Sequence, residues 1–254
     1  MAEKAGFETV GQCEWVDYPT KVLEKHWPDV PRWRDIRTLT GESFYEKIGR
    51  RTVNVISGGF PCQPHSLAGK HKASCDERDL WGELFRVFCE TNAKWLVAEN
   101  VFGLLSSENG RFFGRVLRDL ASVGCNAWWY CFPARIAGAP FEGKRVALVA
   151  APLSIRWDIL AEKLQIKSDE EYFKDVENWK ARQNDLLPYP KRIKPTPGSR
   201  IERNDNGAAD GLDRLKIIGN GVVPAQFYPF FKYIAEIEKL MQLDLYGGEI
   251  GNKA

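Results

Sequence analysis

The chain has 254 residues, a formal net charge of +2 and a hydrophobic content of 44%, which fits one large α/β domain with a small addition. No apolar run is long enough to cross a bilayer, and the first residues hold no apolar signal region. The near-neutral charge means that any nucleic-acid surface must be local. The six cysteines lack paired ligand spacing, so we expect no metal site and no disulfide framework, but reduced thiols in a cytoplasm.

The first predicted unit is a strand followed by a helix. The stretch Gly6–Trp15 is typical of a strand that ends in an acid, Glu14, and an aromatic residue, and a helix is predicted from Pro19 to His26. A strand, a terminal acid and then a helix is the Rossmann arrangement in which the acid binds ribose hydroxyls. The pattern therefore predicts a Rossmann-like α/β fold.

Two further short apolar runs predict neighbouring parallel strands. The run Thr52–Ile56 is rich in β-branched residues, and we expect Gly58 and Gly59 to end its strand and place Cys62 on the following loop. The run Trp95–Ala98 predicts a second buried strand with Glu99 at its end. Because ligands gather at the carboxyl edge of such sheets, we expect the thiol and the carboxyl to lie at one rim.

The apolar patterns of the later segments predict helices before and after an antiparallel pair of strands in the chain. We expect Asp79 to cap a helix whose apolar positions give one buried face. The later segments, in order, are helices Leu80–Glu90 and Arg111–Ser122, strands Trp128–Phe132 and Arg145–Val149, a polar helix Asp169–Gln183 and a helix Ala225–Leu240.

Three motifs in this order carry a family resemblance. They are Phe-Pro-Cys-Gln at residues 60–63, Glu-Asn-Val at residues 99–101, and Gly-Asn-Gly-Val-Val-Pro at residues 219–224. Together they resemble the cytosine-5 DNA methyltransferase family, over about residues 5–233. The resemblance implies a Rossmann-like sheet that uses S-adenosylmethionine and carries a small inserted recognition segment. It divides the chain into a catalytic part (1–151), a target-recognition segment (152–211) and a return to the catalytic domain (212–245).

The resemblance also implies three catalytic residues. Cys62 would add as a thiolate to C6 of cytosine and make C5 nucleophilic, Glu99 would hold a proton at N3, and Arg145 would be aimed at O2. Asn100 would shape the loop that holds Glu99. The alternatives are that Cys62 is a small buried hydrophobic residue and that Glu99 and Arg145 are surface charges at strand ends, although the prolines around Cys62 suit an exposed loop.

The resemblance also implies which residues contact the cofactor, S-adenosylmethionine. Glu14 would bind the ribose, Trp15 would lie against the adenine, and Asp35 and Ile36 would meet the adenine edge. Pro61 and Asn220 complete the implied cofactor site. Two alternatives stay open, because Trp15 is also consistent with a core aromatic residue and Asp35 with a simple turn acid.

Two basic stretches are the implied contacts with double-stranded DNA. One follows Cys62, and the other lies in a proline-rich segment that is short for a recognition domain. A solvated loop and a flexible linker are the alternatives. The implied DNA-binding residues are Gln63, Ser66, Lys70, Arg78, Lys191, Arg192, Lys194 and Arg200.

The family pattern is incomplete in two places. The first strand and its Phe-x-Gly-x-Gly turn are missing, and of the Gln-x-Arg-x-Arg motif only Arg145 is kept. The first gap has three explanations: a misassigned or truncated start, a complementing polypeptide, or a remnant without activity. The expected function is methylation of cytosine C5 in DNA, by a monomer on its substrate in the cytoplasm and nucleoid of a bacterial or phage-infected cell. Methylation of transfer RNA and a silent DNA-binding subunit are the alternatives.

Overall fold

The computed structural model describes residues 2–61, 80–134, 143–155 and 224–246. Within these ranges, the strands and α-helices are, in order, β1 (Gln12–Cys13), α1 (Asp17–His26), β2 (Arg32–Trp33), α2 (Gly41–Ile48), β3 (Val55–Gly59), α3 (Trp81–Glu90), β4 (Trp95–Val101), α4 (Arg111–Ser122), β5 (Cys125–Phe132), β6 (Arg145–Pro152) and α5 (Pro224–Tyr246). Strands and α-helices alternate along the chain as far as β5, the next described strand is β6, and a long helix follows.

The strands form a mixed sheet and a smaller parallel pair. The main sheet has the order β3-β4-β6-β5, in which β3 and β4 are parallel and β6 is antiparallel to both of its neighbours. The pair is β1 and β2, joined in the register Gln12↔Arg32 and Cys13↔Trp33. The α/β class and the antiparallel edge formed by β5 and β6 are therefore as the sequence predicted.

Alternate residues of β4 face opposite layers of the core. Leu96 and Ala98 pack with α3 and α4, whereas Trp95 and Val97 pack with the apolar side chains of α5. This alternation follows from the two-residue period of a strand, and it explains why β4 is apolar on both faces. The sheet is thus covered by helices on both sides, and its functional residues are left to its ends.

Helix α5 is joined to the sheet by polar contacts as well as by apolar ones. Glu238 Oε1 accepts a hydrogen bond from Trp95 Nε1 at 2.8 Å and lies 2.7 Å from Lys94 Nζ. These contacts fix the C-terminal helix against the start of β4. No helix in the described parts of the chain combines the length and the apolar character needed to span a membrane.

Several predicted boundaries were wrong in instructive ways. The glycines do not end β3, because Gly58 and Gly59 continue it in register with β4. The strand β4 likewise extends through Glu99 to Val101, where it pairs with β6. The first strand has only two residues, since it pairs with β2 alone. Asp79 and the predicted helix 169–183 lie outside the described residues, and α3 begins after Leu80 without a side-chain cap.

Candidate active site

The strand registers bring two predicted catalytic residues together. Glu99 pairs with Gly59 of β3 on one side, and Val101 pairs with Arg145 of β6 on the other. Because β3 and β4 are parallel, their carboxyl ends lie at the same edge of the sheet, and β6 begins there. This rim carries the carboxyl and the guanidinium that the sequence predicted separately.

Glu99 and Arg145 form a largely buried ion pair. Arg145 Nε lies 2.8 Å from Glu99 Oε1, and the two side chains are 13% and 17% exposed, respectively. Burial raises the pKa of the Glu99 carboxyl above its ordinary value, and the Arg145 charge and hydrogen bond oppose that rise without cancelling it. The site therefore favours a carboxyl that takes up a proton more readily than a surface acid does.

Asn100 connects β4 to the end of β3. Its Nδ2 donates to the Phe60 carbonyl at 3.2 Å, and its Oδ1 accepts from the Val101 amide at 2.9 Å. The ring of Phe60 packs against Trp81, with ring centroids 5.4 Å apart. Asn100 thus holds the chain leaving β3, as well as the loop after Glu99, and its role is wider than the sequence suggested.

The thiols in the described part of the chain are poor nucleophiles. Burial and the nearby Asp35 and Glu14 charges raise the pKa of Cys13 to about 11. Burial also raises the pKa values of the other thiols in this part of the chain above their ordinary range, which lowers the thiolate fraction at neutral pH. Those thiols are Cys89, Cys125 and Cys131.

The residues that are predicted to contact the ribose and the adenine lie just after the paired strands β1 and β2. The Glu14 amide donates to the Trp33 carbonyl at 3.0 Å, which continues the ladder by one residue. Glu14 Oε1 accepts from the Val16 amide at 2.8 Å, while Asp35 Oδ1 accepts from the Arg37 amide at 2.9 Å. Each carboxylate thus has one oxygen oriented by the backbone.

Trp15 is not a core aromatic residue, since it is 68% exposed. Its carbonyl accepts a hydrogen bond from Arg34 Nη2 at 2.7 Å, and the same guanidinium pairs with Asp17. The exposed indole follows the oriented Glu14 carboxylate in the chain, and together they offer a flat apolar surface and a hydrogen-bond acceptor, which a purine nucleoside needs. These residues could hold the adenosine part of S-adenosylmethionine.

The other predicted residues divide into two groups. Ile36 is half-buried against the core, and its carbonyl accepts from Arg86 Nη2 at 2.8 Å; Pro61 is exposed directly after Phe60. The remaining predicted site residues lie outside the described residues: Cys62, Gln63, Ser66, Lys70, Arg78, Lys191, Arg192, Lys194, Arg200 and Asn220.

Gly59 is a site residue that sequence reasoning missed. A Cβ atom at this position would lie 2.9 Å from Glu99 Oε2, closer than real Cβ contacts come. The absence of a side chain at Gly59 therefore leaves the space that the Glu99 carboxyl occupies. The sequence pattern predicts that this glycine ends the strand, and the register with Glu99 is what shows its place in the site.

The chain thus folds into a mixed α/β domain. A largely buried pair, Glu99 and Arg145, lies at the carboxyl edge of its parallel strands. The model of the C-5 cytosine-specific DNA methylase family matches residues 1–206. The chain therefore belongs to this family of methyltransferases, whose members in general use S-adenosylmethionine.

Curated relatives agree with this assignment. The chain is 31% identical over 207 residues to the Type II methyltransferase M.Eco47II of Escherichia coli, covering 75% of this chain and 46% of that protein. It is 32% identical over 152 residues to M.NgoMIV of Neisseria gonorrhoeae, covering 58% of this chain and 46% of that protein. The chain thus spans just under half the length of these relatives.

The fold has a counterpart among solved structures. A prophage-encoded protein of Escherichia coli, described as a DNA modification methyltransferase, matches with a TM-score of 0.52 and 19% sequence identity. The match covers 63% of this chain and 45% of the other. At this level of identity the likeness supports the methyltransferase fold.

Proposed function

We propose that this chain carries the catalytic residues of a DNA (cytosine-5)-methyltransferase, with Cys62 as nucleophile and Glu99 and Arg145 as its partners. The observation that carries the proposal is the buried Glu99–Arg145 pair, with nitrogen and oxygen 2.8 Å apart, at the strand end next to β3. Cys62 follows Gly59, the β3 residue paired with Glu99, by three positions. A short chain segment therefore joins the proposed nucleophile to the proposed acid.

The state of the thiols supports Cys62 as the nucleophile. Of the six cysteines, the four within the described ranges have raised pKa values, so each is disfavoured as a thiolate. Attack on C6 of cytosine requires the thiolate. Of the two other cysteines, Cys62 and Cys75, Cys62 lies closer in sequence to the rim, and it is the cysteine of the Phe-Pro-Cys-Gln motif.

Glu99 supplies what the addition needs at the other side of the base. As the Cys62 sulfur bonds to C6, negative charge develops over C5 and N3. A protonated Glu99 donates to N3, and its raised pKa favours that protonated form. Arg145 donates to the cytosine O2 and keeps the Glu99 carboxyl oriented. Once C5 carries the methyl group, the N3 proton returns to Glu99, a base or water takes the proton from C5, and departure of the Cys62 thiolate restores the aromatic ring.

S-adenosylmethionine supplies the methyl group that C5 accepts. Glu14, whose Oε1 accepts from the Val16 amide, would hold the ribose hydroxyls of this cofactor, and the exposed Trp15 would hold the adenine. Asp35 and Ile36 complete the purine site beside it, with Pro61 and Asn220 as further contacts. The reduced cytoplasm of a bacterial or phage-infected cell suits an enzyme that depends on a free thiol.

DNA is the proposed substrate. Residues 152–211 serve as a small recognition segment, and its basic side chains hold phosphates while a cytosine is turned out of the duplex. The apolar face of α5 against β4 and β6 supports the return of the chain after residue 212 to the catalytic domain. The enzyme acts as a monomer on its substrate.

A complementing polypeptide is the proposed source of a further strand. In the described sheet β3 is an edge strand, with β4 on one side, although the fold class places the functional edge among central strands. An added parallel strand along β3 would pair its remaining backbone groups. Hydrogen exchange checks this, because alternate amides of residues 55–59 must become protected when the complementing segment is added.

The decisive experiment measures methyl transfer to unmethylated duplex DNA and to transfer RNA, with and without a complementing segment. Cys62→Ser should abolish transfer and leave DNA binding intact, whereas Cys89→Ser, a change at an exposed thiol, should leave transfer unchanged. The wild type should also form a denaturation-resistant adduct with DNA containing 5-fluorocytosine. Transfer to transfer RNA alone would reassign the substrate, and equal transfer by Cys62→Ser would overturn the mechanism.

A further inference from the structure

An exposed aromatic residue and a lysine lie side by side just beyond the candidate active site. The register ends at Val101↔Arg145, so Phe102 and Lys144 are the next residues outward from the ladder. The Lys144 Nζ atom lies 5.7 Å from the centroid of the Phe102 ring. Phe102 is 49% exposed and Lys144 is exposed. We call these two residues the rim pair.

The fold itself makes little use of the rim pair. Leu104, two residues after Phe102, is buried in the core and anchors this turn without help from the Phe102 ring. Among the described residues, no acidic side chain forms a salt bridge with Lys144. Both side chains are therefore accessible to a ligand.

The rim pair is continuous with the proposed catalytic residues. Arg145 Nη1 donates to the Lys144 carbonyl at 3.3 Å, while its Nε contacts Glu99 at 2.8 Å. A ligand whose reacting part reaches Glu99 would therefore extend over Phe102 and Lys144.

Resting on the proposed function, we propose that the rim pair binds the DNA strand next to the extruded cytosine. Lys144 neutralises a backbone phosphate, and the Phe102 ring lies against an adjoining base or sugar. An aromatic face with a neighbouring cation is the combination that single-stranded nucleic acid uses, because stacking tolerates any base and the charge follows the backbone. The nucleotides that flank an extruded cytosine lose a stacking neighbour on one side, so they offer that chemistry.

The chain contains a matched control pair at the opposite end of the sheet. The Arg51 guanidinium lies 3.9 Å from the centroid of the Tyr45 ring, and Tyr45 is 39% exposed. Arg51 precedes the start of β3, whereas the rim pair lies beyond its carboxyl end. The two pairs share a cation beside an aromatic ring and differ in position. They differ also in charge, because Arg51 Nη1 lies 3.6 Å from Glu42 Oε2.

The test is fluorescence anisotropy with a labelled duplex of randomised sequence, at several NaCl concentrations, using the full chain. Lys144→Gln should lower the slope of log K against log salt by about 0.9, because one phosphate contact is lost. Phe102→Leu keeps apolar bulk but removes the aromatic face, so affinity should fall by about 5-fold or more at an unchanged slope. Arg51→Gln and Tyr45→Leu should bind as the wild type does.

Two outcomes would overturn the proposal that the rim pair binds DNA. One is wild-type slope and affinity in Lys144→Gln and Phe102→Leu; the other is an equal loss in the Arg51 and Tyr45 variants, which would indicate a general effect of charge and surface. Methyl transfer by the wild type is measured separately. A wild type that is inactive even with a complementing segment, but whose binding still depends on Lys144 and Phe102, would support DNA binding by the rim pair and reject the proposed function.

Discussion

Gly59 and Glu99 face each other across the parallel strands β3 and β4, and a Cβ atom on Gly59 would lie 2.9 Å from Glu99 Oε2. The catalytic carboxyl proposed here therefore depends on the absence of a side chain on the neighbouring strand. A glycine that the sequence pattern assigns to a turn is instead part of the site's shape.

Gly59→Ala should displace the Glu99 carboxyl and reduce methyl transfer. Misplacement of a reacting group by about 1 Å can lower the rate by about 100-fold. Gly58→Ala is the matched control, because its Cβ would meet the flexible end of Leu84 at 3.4 Å. Steady-state methyl transfer and urea denaturation of both variants check this. Equal activity of the two variants would show that Gly59 has no role in placing the carboxyl.

Glu99→Gln should lower the rate of methyl transfer by about 10²-fold or more while leaving DNA binding unchanged, because the amide cannot donate an acidic proton to N3. Glu238→Gln is the control, since Glu238 is also a shielded acid bonded to β4, through Trp95. The Glu238→Gln variant should have a free energy of unfolding that is lower by about 1–3 kcal/mol, and its rate of methyl transfer should be unchanged. A larger loss of activity in Glu238→Gln than in Glu99→Gln would contradict the assignment.

Arg145→Gln should raise the pKa of Glu99 further. Burial already raises this pKa, and the Arg145 charge and hydrogen bond are what oppose the rise. The measurement is ¹³C NMR of glutamate side-chain carboxyls, with the Glu99 signal assigned by its absence in Glu99→Gln. A lower pKa in Arg145→Gln would mean that the two side chains are not paired in solution.

The same raised pKa has a consequence for stability. A carboxyl whose pKa is higher in the folded chain than its unfolded value of about 4.3 favours folding at low pH. That contribution is lost as pH rises through the folded pKa. The wild type should therefore lose stability relative to Glu99→Gln between acid and neutral pH, as measured by urea denaturation across that range. If the stability of the wild type instead increases relative to that of Glu99→Gln as pH rises, the pKa of Glu99 is lowered in the folded chain.

Trp15→Ala should weaken binding of S-adenosylmethionine with little effect on folding, because the indole is exposed and contributes little to the core. Stacking on a base is worth about 1–3 kcal/mol, so Kd should rise by roughly 5-fold or more. Trp129→Ala is a control at another exposed indole, on β5. Calorimetry gives both affinities, and unchanged binding by Trp15→Ala would remove the adenine role.

The sequence predicted the elements best where the apolar pattern is strong. The helix Arg111–Ser122 was predicted with its observed bounds, and β5 and β6 were predicted as an antiparallel edge, since burial against one core imposes the period. The boundaries near the site were predicted less well. Gly58 and Gly59 have low strand propensity, and their strand forms because β4 supplies the backbone partners.

The amino-acid sequence alone determined the family, the order of the motifs and the residue types of the proposed chemistry. The reason is that the thiol, the carboxyl and the guanidinium are properties of the residue types and do not depend on the fold. Only the tertiary structure decided that Glu99 and Arg145 form a pair and that Gly59 makes room for it. It also brought Phe102 beside Lys144, 42 positions later in the chain. The reason is strand register: a contact between distant residues depends on which backbone groups pair, and local sequence does not encode that choice.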